Sequence, residues 1–566
     1  MSEKENLLYA GAPGNGGAGS SGSYEMGSGG YYYPPGVDTL STPFKYGPRQ
    51  SKDWMYAVLF FMVLIGVAIG GGYGVAHRNR HFEEVMDGSL NMTLASSCPA
   101  HPKARLDIRY GLVLDGDNSK PEFDSEGVIR VGAFWVFASL LVSVLLGCLL
   151  VAVFIKKSMA TMKFTVAVQV GTPLVTAFLF LGYGQFGMSI LFFVITGLNA
   201  LCFYCYRRQL ALCTKLLEVA ACGLRDNHML VPTVLLLKLL SLVVVVPTVG
   251  AGFVAITNGS IEPNPYAIGT VAGGTCVDPE GMDVTCCTWQ TDPWVAPFLA
   301  LCVFSVVWTY NLVFEMRLLT SSSAIVQWYY TPVGMHRQGK AISLGLYHAF
   351  GPHFGTCCYG GLVLTAVDYL RQMSNNLRTG RSDNGGIGEV ICRWILAMMI
   401  DCVSAMIEFL TKFSTITSAI TGDGLCDAAR STYDLLTRNF LSTLSVWWIP
   451  NTVLGVMCFT ISIVWTFISF LILWAFHSNA MHVVIVVSVL TFVFTFVALS
   501  FVATMLTLAV DVCYVCYALD LDTQQQGNKD VHEVFDMVRQ EQPEYKQRMV
   551  DGPIISQPGG GYAYGA

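Results

Sequence analysis

The chain has 566 residues, of which 53% are hydrophobic and 13% are charged. About one quarter of the residues of an average soluble protein are charged, and the mean hydropathy of +0.51 is high. This composition excludes a cytosolic enzyme, a nucleic-acid binder and a disordered scaffold, and it predicts that most of the chain lies in lipid. The net charge of −6 is too small to indicate a polyanionic or polycationic partner.

Residues 1–50 come first and are rich in Gly, Ser, Tyr and Pro. Such a segment cannot bury enough apolar surface to fold, so we expect a disordered cytoplasmic tail. The first transmembrane helix is predicted over 51–76, because the apolar stretch from Trp54 to Ala76 is long enough to cross a hydrocarbon core of ~30 Å. An extracellular loop is predicted over 77–128.

Nine further apolar stretches follow and bring the prediction to about ten transmembrane helices. Helices two to five are expected within 129–256, an extracellular loop with cysteines over 257–293, and helices six to ten within 294–517. A cytoplasmic tail over 518–566 ends the chain. The predicted fold class is therefore an all-α polytopic membrane protein.

The distribution of Lys and Arg in short loops predicts the orientation, because positive loops stay in the cytoplasm. Basic residues follow the second, fourth and sixth predicted helices, at Lys156, Lys157, Lys163, Arg207, Arg208, Lys215, Arg225, Arg317, Arg337 and Lys340. This alternation predicts that both termini are cytoplasmic. The sequons at Asn91 and Asn258 agree, since both lie in loops that are predicted to be extracellular and would be glycosylated there.

The seventh and eighth predicted segments, 342–370 and 390–413, break this alternation. The loop region between them contains several arginines, at Arg371, Arg378, Arg381 and Arg393, although alternation places it outside. Either both segments cross the membrane against the charge bias, or they are partly re-entrant and the loop stays inside. Both alternatives keep the C-terminus in the cytoplasm.

Most of the 18 cysteines lie in predicted helices or near the cytoplasmic side, where Cys acts as a small apolar residue. The predicted outer loops contain Cys98, Cys276, Cys286 and Cys287. A disulfide from Cys276 to Cys286 or Cys287 would close a short loop. We favour it over zinc, because the other cysteines show no ligand spacing with nearby His.

Sequence motifs of membrane enzymes and ATP-driven pumps are absent. The chain contains no HExxH zinc motif, no GxSxG nucleophile elbow and no Walker A sequence. We therefore expect no enzyme activity, no catalytic residues, no metal site and no cofactor.

Ionisable side chains inside membrane helices cost ~3 kcal/mol or more and often mark a functional path. Here they are Lys238, Asp401, Glu408 and Asp511. Among them, Glu408 and Asp511 are our candidate carboxylates for a bound cation, although a structural role as partners of interior bases is equally supported. Glu315 lies at the predicted membrane edge, where we expect it to be solvated.

A second group of candidates is aromatic or polar-tipped. The contiguous triplet Trp328–Tyr330 follows a run of small residues, and electron-rich ring faces bind quaternary ammonium groups. Aromatic belts at membrane interfaces are the alternative interpretation. The seventh segment is broken by Gly and Pro, as transporter sites often are. The predicted substrate-binding residues of this group are Trp328, Tyr329, Tyr330, Trp308, Asn311 and Tyr347.

Several motifs follow one another in the second half of the chain. They are Trp308 with Asn311, Gln327–Tyr330, Ser343–His348, Ile407–Phe413, Cys426–Ala429, Ala509–Asp511 and Asp520–Asp522. In this order, over about 294–525, they resemble the choline transporter-like family. The resemblance implies facilitated or exchange transport of choline, or of ethanolamine, without ATP.

Three classes of function follow from these observations. A channel or receptor-like protein that does not transport choline would explain the helices, but no selectivity-filter pattern is visible. A lipid-metabolising enzyme would need catalytic residues that the sequence lacks. We therefore predict a transporter of choline or a related organic cation, with the cation and the lipid bilayer as partners and no nucleic acid. The plasma membrane is the expected location, with an endomembrane as the alternative.

Overall fold

The computed structural model describes residues 44–45, 49–79, 81–86, 92, 125–205, 207–267, 269–270, 276–278, 282–331, 340–379, 387–438, 440–476, 481–523 and 527–540. The expectations for the tail before residue 44, for the sequon at Asn91 and for residues after 540 lie outside this part of the chain.

Long helices make up most of the described chain. In chain order they are α1 (Trp54–Ala76), α2 (His81–Met86), α3 (Ser125–Gly182), α4 (Phe186–Cys205), α5 (Arg207–Asp226), α6 (Leu230–Ile256), α7 (Val295–Tyr330), α8 (Lys340–Phe350), α9 (Phe354–Thr379), α10 (Ile387–Thr421), α11 (Leu425–Arg438), α12 (Phe440–Phe476), α13 (Met481–Thr523) and α14 (Lys529–Gln540).

Eight of these helices are long and apolar enough to cross a membrane, namely α1, α3, α4, α6, α7, α10, α12 and α13. This confirms a helical polytopic membrane protein. The second and third predicted segments are two helices within α3, which meet at a kink where the backbone of Lys157 is non-helical (φ −143°, ψ 38°). The apolar part of α3, Gly132–Gly182, has 51 residues. At 1.5 Å per residue that is about 77 Å, more than twice the hydrocarbon thickness.

The seventh predicted segment is divided into two helices. The short α8 packs on α7, where Gly345 lies against the carbonyl oxygen of Thr320. Helix α9 then begins beside Asp53, the residue before α1. The contact is close, because a Cβ at Gly355 would lie 2.4 Å from the Asp53 carbonyl oxygen. After α10, the Leu425 N–H donates to the Asp53 carboxylate (2.9 Å). Helices α9 and α10 therefore start and finish at the same end of the bundle, here called the Asp53 end.

Helix α10 is long and apolar enough to cross a membrane, whereas α9 is not one of the eight helices that meet both conditions, so both alternatives stay open. Helix α9 has 26 residues and α10 has 35, about 39 Å and 52 Å. Arg381 lies outside the described residues, and the other three arginines that break the charge alternation are paired with carboxylates of α10. The pairs are Arg371 with Glu408, Arg378 with Asp401, and Arg393 with Glu389. Because each pair is electrically neutral, these arginines contribute little net positive charge to their side of the membrane.

The loop between α6 and α7 contains short antiparallel strands, which the all-α prediction left out. They are β1 (Gly259–Pro263), β2 (Gly269–Thr270), β3 (Cys276–Val277), β4 (Asp283–Val284) and β5 (Cys287–Thr291). Strand β1 pairs with β5, and β3 lies between β2 and β4. A disulfide joins Cys276 to Cys286, with 5.2 Å between their Cα atoms, and Cys287 is also disulfide-bonded.

The second sequon does not fit its structural setting. Asn258 is 0% exposed. Its Nδ2 atom, which would carry a glycan, donates to the carbonyl oxygens of Gly74 (3.1 Å) and Val254 (3.0 Å). Glycosylation at Asn258 stays a prediction, and in this fold the acceptor nitrogen ties the end of α6 to the end of α1.

Two helices continue beyond their lipid-facing parts into a fully enclosed region. Every residue of Glu315–Tyr330 in α7 and of Met505–Ala518 in α13 is buried. A helix at the lipid boundary exposes one side, so these stretches are surrounded by protein. The largest hydrophobic core joins them to α3, α5, α10, α12 and α14.

Candidate functional site

The Trp328–Tyr330 triplet lies in this enclosed region, at the last turn of α7. The Tyr329 hydroxyl donates to Oδ2 of Asp520 and the Tyr330 hydroxyl donates to Oδ1, each at 2.9 Å. The Trp328 ring nitrogen donates to Asp226 at the end of α5 (3.1 Å). The two tyrosines thus converge on Asp520 of α13, whereas Trp328 points to α5.

Asp520 is the centre of this junction. Besides the two tyrosines, it accepts hydrogen bonds from the Gly527 N–H and from Nε2 of His532, both at 2.9 Å. A Cβ at Gly527 would lie 2.7 Å from both tyrosine rings. The triplet and Asp520 together join α7, α13 and α14, which accounts for these aromatic residues by packing and hydrogen bonding.

The two carboxylates favoured by the sequence are both occupied by bases. Asp511 on α13 pairs with Lys412 on α10 and is 0% exposed. Glu408 pairs with Arg371, and both side chains are about half exposed. A carboxylate that already neutralises a protein cation attracts a second cation weakly.

Glu315 has the opposite environment. It is 0% exposed, and Oε2 accepts a hydrogen bond from the Thr415 hydroxyl (2.6 Å). Oε1 has no hydrogen-bond partner among the residues that the structure describes. Arg317 lies two residues further along α7 and stacks over the Phe314 ring (4.7 Å). The expectation that Glu315 is solvated is wrong, because α9 and α10 cover it.

Helix α9 approaches this carboxylate closely because it has glycines there. A Cβ at Gly360 would lie 3.0–3.1 Å from the Glu315 carboxyl group. A Cβ at Gly361 would lie 2.8 Å from the backbone nitrogen of Leu312. Cys357, one turn earlier on α9, is 1% exposed. Small residues thus leave the carboxylate room between α7 and α9.

An aromatic group stands two turns of α7 before Glu315. Trp308 is 0% exposed, and its ring nitrogen donates to the Cys358 carbonyl (3.0 Å). Phe60 of α1 and Phe304 surround it, with ring centroids at 5.3 Å and 5.4 Å. The seven-residue spacing places Trp308 and Glu315 on one face, about 10 Å apart along the axis.

Two sequence candidates remain. Asn311 lies on the same face of α7 as Trp308 and Glu315, and Tyr347 lies on the exposed surface. Asn311 faces α9, where its amide donates to Thr365 (3.2 Å) and Asp368 (2.8 Å). Tyr347 of α8 is 55% exposed. The structure therefore brings Trp308 and Asn311 together on the α7 face that also carries Glu315, and it brings Tyr329 and Tyr330 together at Asp520. The sequence signals for Glu315 were the seven-residue spacing from Trp308 and the Gly360–Gly361 pair.

The fold defines the class of protein as a multi-pass helical membrane protein. The sequence profile of the family described as "Plasma-membrane choline transporter" matches residues 190–522. The chain belongs to this family, which consists of membrane transporters and not of enzymes.

Individual relatives are distant. The chain is 23% identical to Choline transporter-like 2 of Anopheles gambiae over 250 residues, which cover 43% of this chain and 31% of that protein. It is 20% identical to a CTL-like protein of Dictyostelium discoideum over 240 residues (41% and 43%). It is 27% identical to Choline transporter-like protein 2 of Bos taurus over 150 residues (25% and 20%). The matched stretches span less than half of the length of each of these relatives.

Proposed function

We propose that this protein is a carrier for choline or a related organic cation, which it moves by facilitated diffusion or exchange. The proposed substrate contact is the Glu315 carboxylate, with the Trp308 ring further along the same face. The single observation that carries this assignment is the enclosed setting of Glu315, whose Oε1 has no hydrogen-bond partner among the described residues.

The chemistry of the substrate supports this assignment. A quaternary ammonium group cannot donate hydrogen bonds, so it is recognised by negative charge and by ring faces. A buried carboxylate oxygen without a hydrogen-bond partner is costly, and a bound cation would relieve this cost. Most of the surroundings of Glu315 are small and apolar, which suits a site that must also release its ligand.

We further propose a sidedness for the bundle. The positive loops favour a cytoplasmic Asp53 end and cytoplasmic termini, with the loop that contains β1–β5 outside. In this arrangement α7 enters from the outside, and Glu315 lies 20 residues, about 30 Å, from its start. Glu315 then stands near the cytoplasmic boundary of the membrane. The family resemblance favours the plasma membrane as its location, and an endomembrane is the alternative.

Uptake of labelled choline into liposomes that contain the purified protein tests this proposal. We expect Glu315→Gln to reduce uptake at least about tenfold, because the isosteric amide keeps the volume and removes the charge. Glu389→Gln is the matched control, since it makes the same change at a half-exposed pair with Arg393 on α10. It should transport like the wild type. Wild-type uptake by Glu315→Gln, or no uptake by the wild-type protein, would contradict the proposal.

A further inference from the structure

The segment before α1 lies across the Asp53 end of the bundle. Its described residues, 44–45 and 49–53, are here called the N-terminal strap. Phe44 is 1% exposed and belongs to the largest hydrophobic core. The Lys45 N–H donates to the carbonyl oxygen of Ile420 at the end of α10 (3.0 Å). The strap is thus bound to the transmembrane bundle by both packing and backbone hydrogen bonds.

The other end of the strap is fixed at the start of α1. The Lys52 N–H donates to the Pro352 carbonyl between α8 and α9 (3.2 Å). Asp53 has a left-handed backbone (φ 53°, ψ 26°), which is uncommon for residues other than Gly and carries strain. Its Oδ2 accepts hydrogen bonds from the Thr356 hydroxyl (3.0 Å) and the Leu425 N–H (2.9 Å). These contacts hold the strap and the strained residue in place.

Arg49 is the strap's charged contact with the bundle. It is 8% exposed, and its guanidinium donates to the carbonyl oxygens of Ala419 (2.9 Å), Ser418 (3.4 Å) and Lys45 (3.2 Å). It also lies 3.4 Å from Nε2 of His353. Burial lowers the pKa of Arg49 to about 10, so the side chain stays positive at neutral pH. A fixed positive charge therefore occupies this end of the bundle.

The strap lies directly beyond the proposed substrate contact. Thr415, which bonds Glu315, is three residues before Ser418 on α10, less than one helical turn. On α9, Gly360 at Glu315 is five residues after Gly355, which touches the strap. A cation that leaves Glu315 toward the Asp53 end therefore meets both the strap and the charge of Arg49.

We propose that the N-terminal strap is the gate that closes the Asp53 end of the transport path, with Arg49 as its latch. This inference rests on the proposed function. The like charge of Arg49 repels an organic cation, so the strap has to withdraw for the cation to pass. Withdrawal releases the strained backbone of Asp53 and uncovers the carbonyls at the end of α10.

A reversible cross-link tests whether the strap must move. The double variant Lys45→Cys/Thr421→Cys places one cysteine on each side of the hydrogen bond from the Lys45 N–H to the Ile420 carbonyl (3.0 Å), and mass spectrometry of the oxidised protein verifies the disulfide. We expect the oxidised protein to lose choline uptake and the reduced protein to recover it. The single variants, treated with the same oxidant, should transport like the wild type. Uptake by fully cross-linked protein at the reduced rate would overturn the gate. Absence of uptake in the wild type would instead overturn the proposed function.

A second measurement does not depend on transport. Cys357 is buried one turn from Gly360 and reports access to Glu315. In Arg49→Ala the strap loses its charge-assisted hydrogen bonds, so we expect Cys357 to react with a small maleimide about tenfold faster than in the wild type. In Arg49→Lys, the reaction rate of Cys357 should lie between the rates in the wild type and in Arg49→Ala. An unchanged rate in Arg49→Ala would show that the strap is an anchor and not a gate.

Discussion

Asp520 accepts hydrogen bonds from four donors, and this makes Asp520→Ala a quantitative test of how α14 is held. The donors are the hydroxyls of Tyr329 and Tyr330, the Gly527 N–H and Nε2 of His532, each at 2.9 Å. A buried donor that loses its acceptor costs about 1–3 kcal/mol. Two of the donors, Gly527 and His532, belong to the segment that carries α14, whereas the two tyrosines lie on α7. Two such losses give at least about 2 kcal/mol for the docking of α14 if each costs the minimum.

Hydrogen exchange of the α14 amides measures this free energy locally. A loss of about 2 kcal/mol corresponds to a fall in protection of about 30-fold. Asp520→Asn retains one acceptor oxygen, so fewer donors become unpaired. In this variant the protection of the α14 amides should fall about tenfold. Glu533→Ala, at an exposed position of α14, serves as the control and should match the wild type. Wild-type protection of α14 in Asp520→Ala would refute the reasoning.

Three further predictions concern the site and the loops. Gly360→Ala should reduce choline uptake several-fold, because its Cβ would lie 3.0–3.1 Å from the Glu315 carboxyl. Gly197→Ala is the control and should have no effect, because its Cβ would have no atom within 4 Å. Equal uptake by both variants would contradict this prediction. Trp328→Phe should lower the melting temperature and leave choline affinity unchanged, because the Trp328 ring nitrogen bonds a neighbouring helix. Weaker choline binding would instead indicate that the triplet contacts the substrate. Asn258→Gln should show the same electrophoretic mobility as the wild type before and after glycosidase treatment, because Nδ2 is buried; a mobility change would instead confirm glycosylation at this sequon.

The helices were predictable because each segment that crosses the lipid core has to be long and apolar. A run of about 20 apolar residues is enough to identify a crossing. The predicted apolar stretches Trp54–Ala76 and Leu230–Ile256 coincide with α1 and α6. Hydropathy could not show that the two helices of α3 meet directly at a kink at Lys157. It also could not show that the short helix α8 precedes α9, because both features depend on local backbone conformation.

The environment of the charged residues was much less predictable. Sequence reasoning correctly allowed that Glu408 and Asp511 neutralise bases, but their partners Arg371 and Lys412 are 37 and 99 residues away. Glu315 was expected to be solvated because it stands near a predicted membrane boundary. Only the tertiary arrangement of α9 and α10 encloses it, and no local pattern encodes that arrangement.

The aromatic triplet shows the same limit. The sequence shows three adjacent rings after small residues, and it cannot show that Asp520, about 190 residues later, accepts from two of them. A cation-binding group and a hydrogen-bonded junction have the same local composition. They differ in whether the polar atoms are already satisfied by the fold.

Equilibrium binding of labelled choline to the purified protein tests the central claim most directly. If the Glu315 carboxylate meets the substrate's charge, Glu315→Gln should raise the dissociation constant at least about tenfold, or 1.4 kcal/mol. Glu389→Gln should bind like the wild type. An unchanged dissociation constant in correctly folded Glu315→Gln would contradict the account.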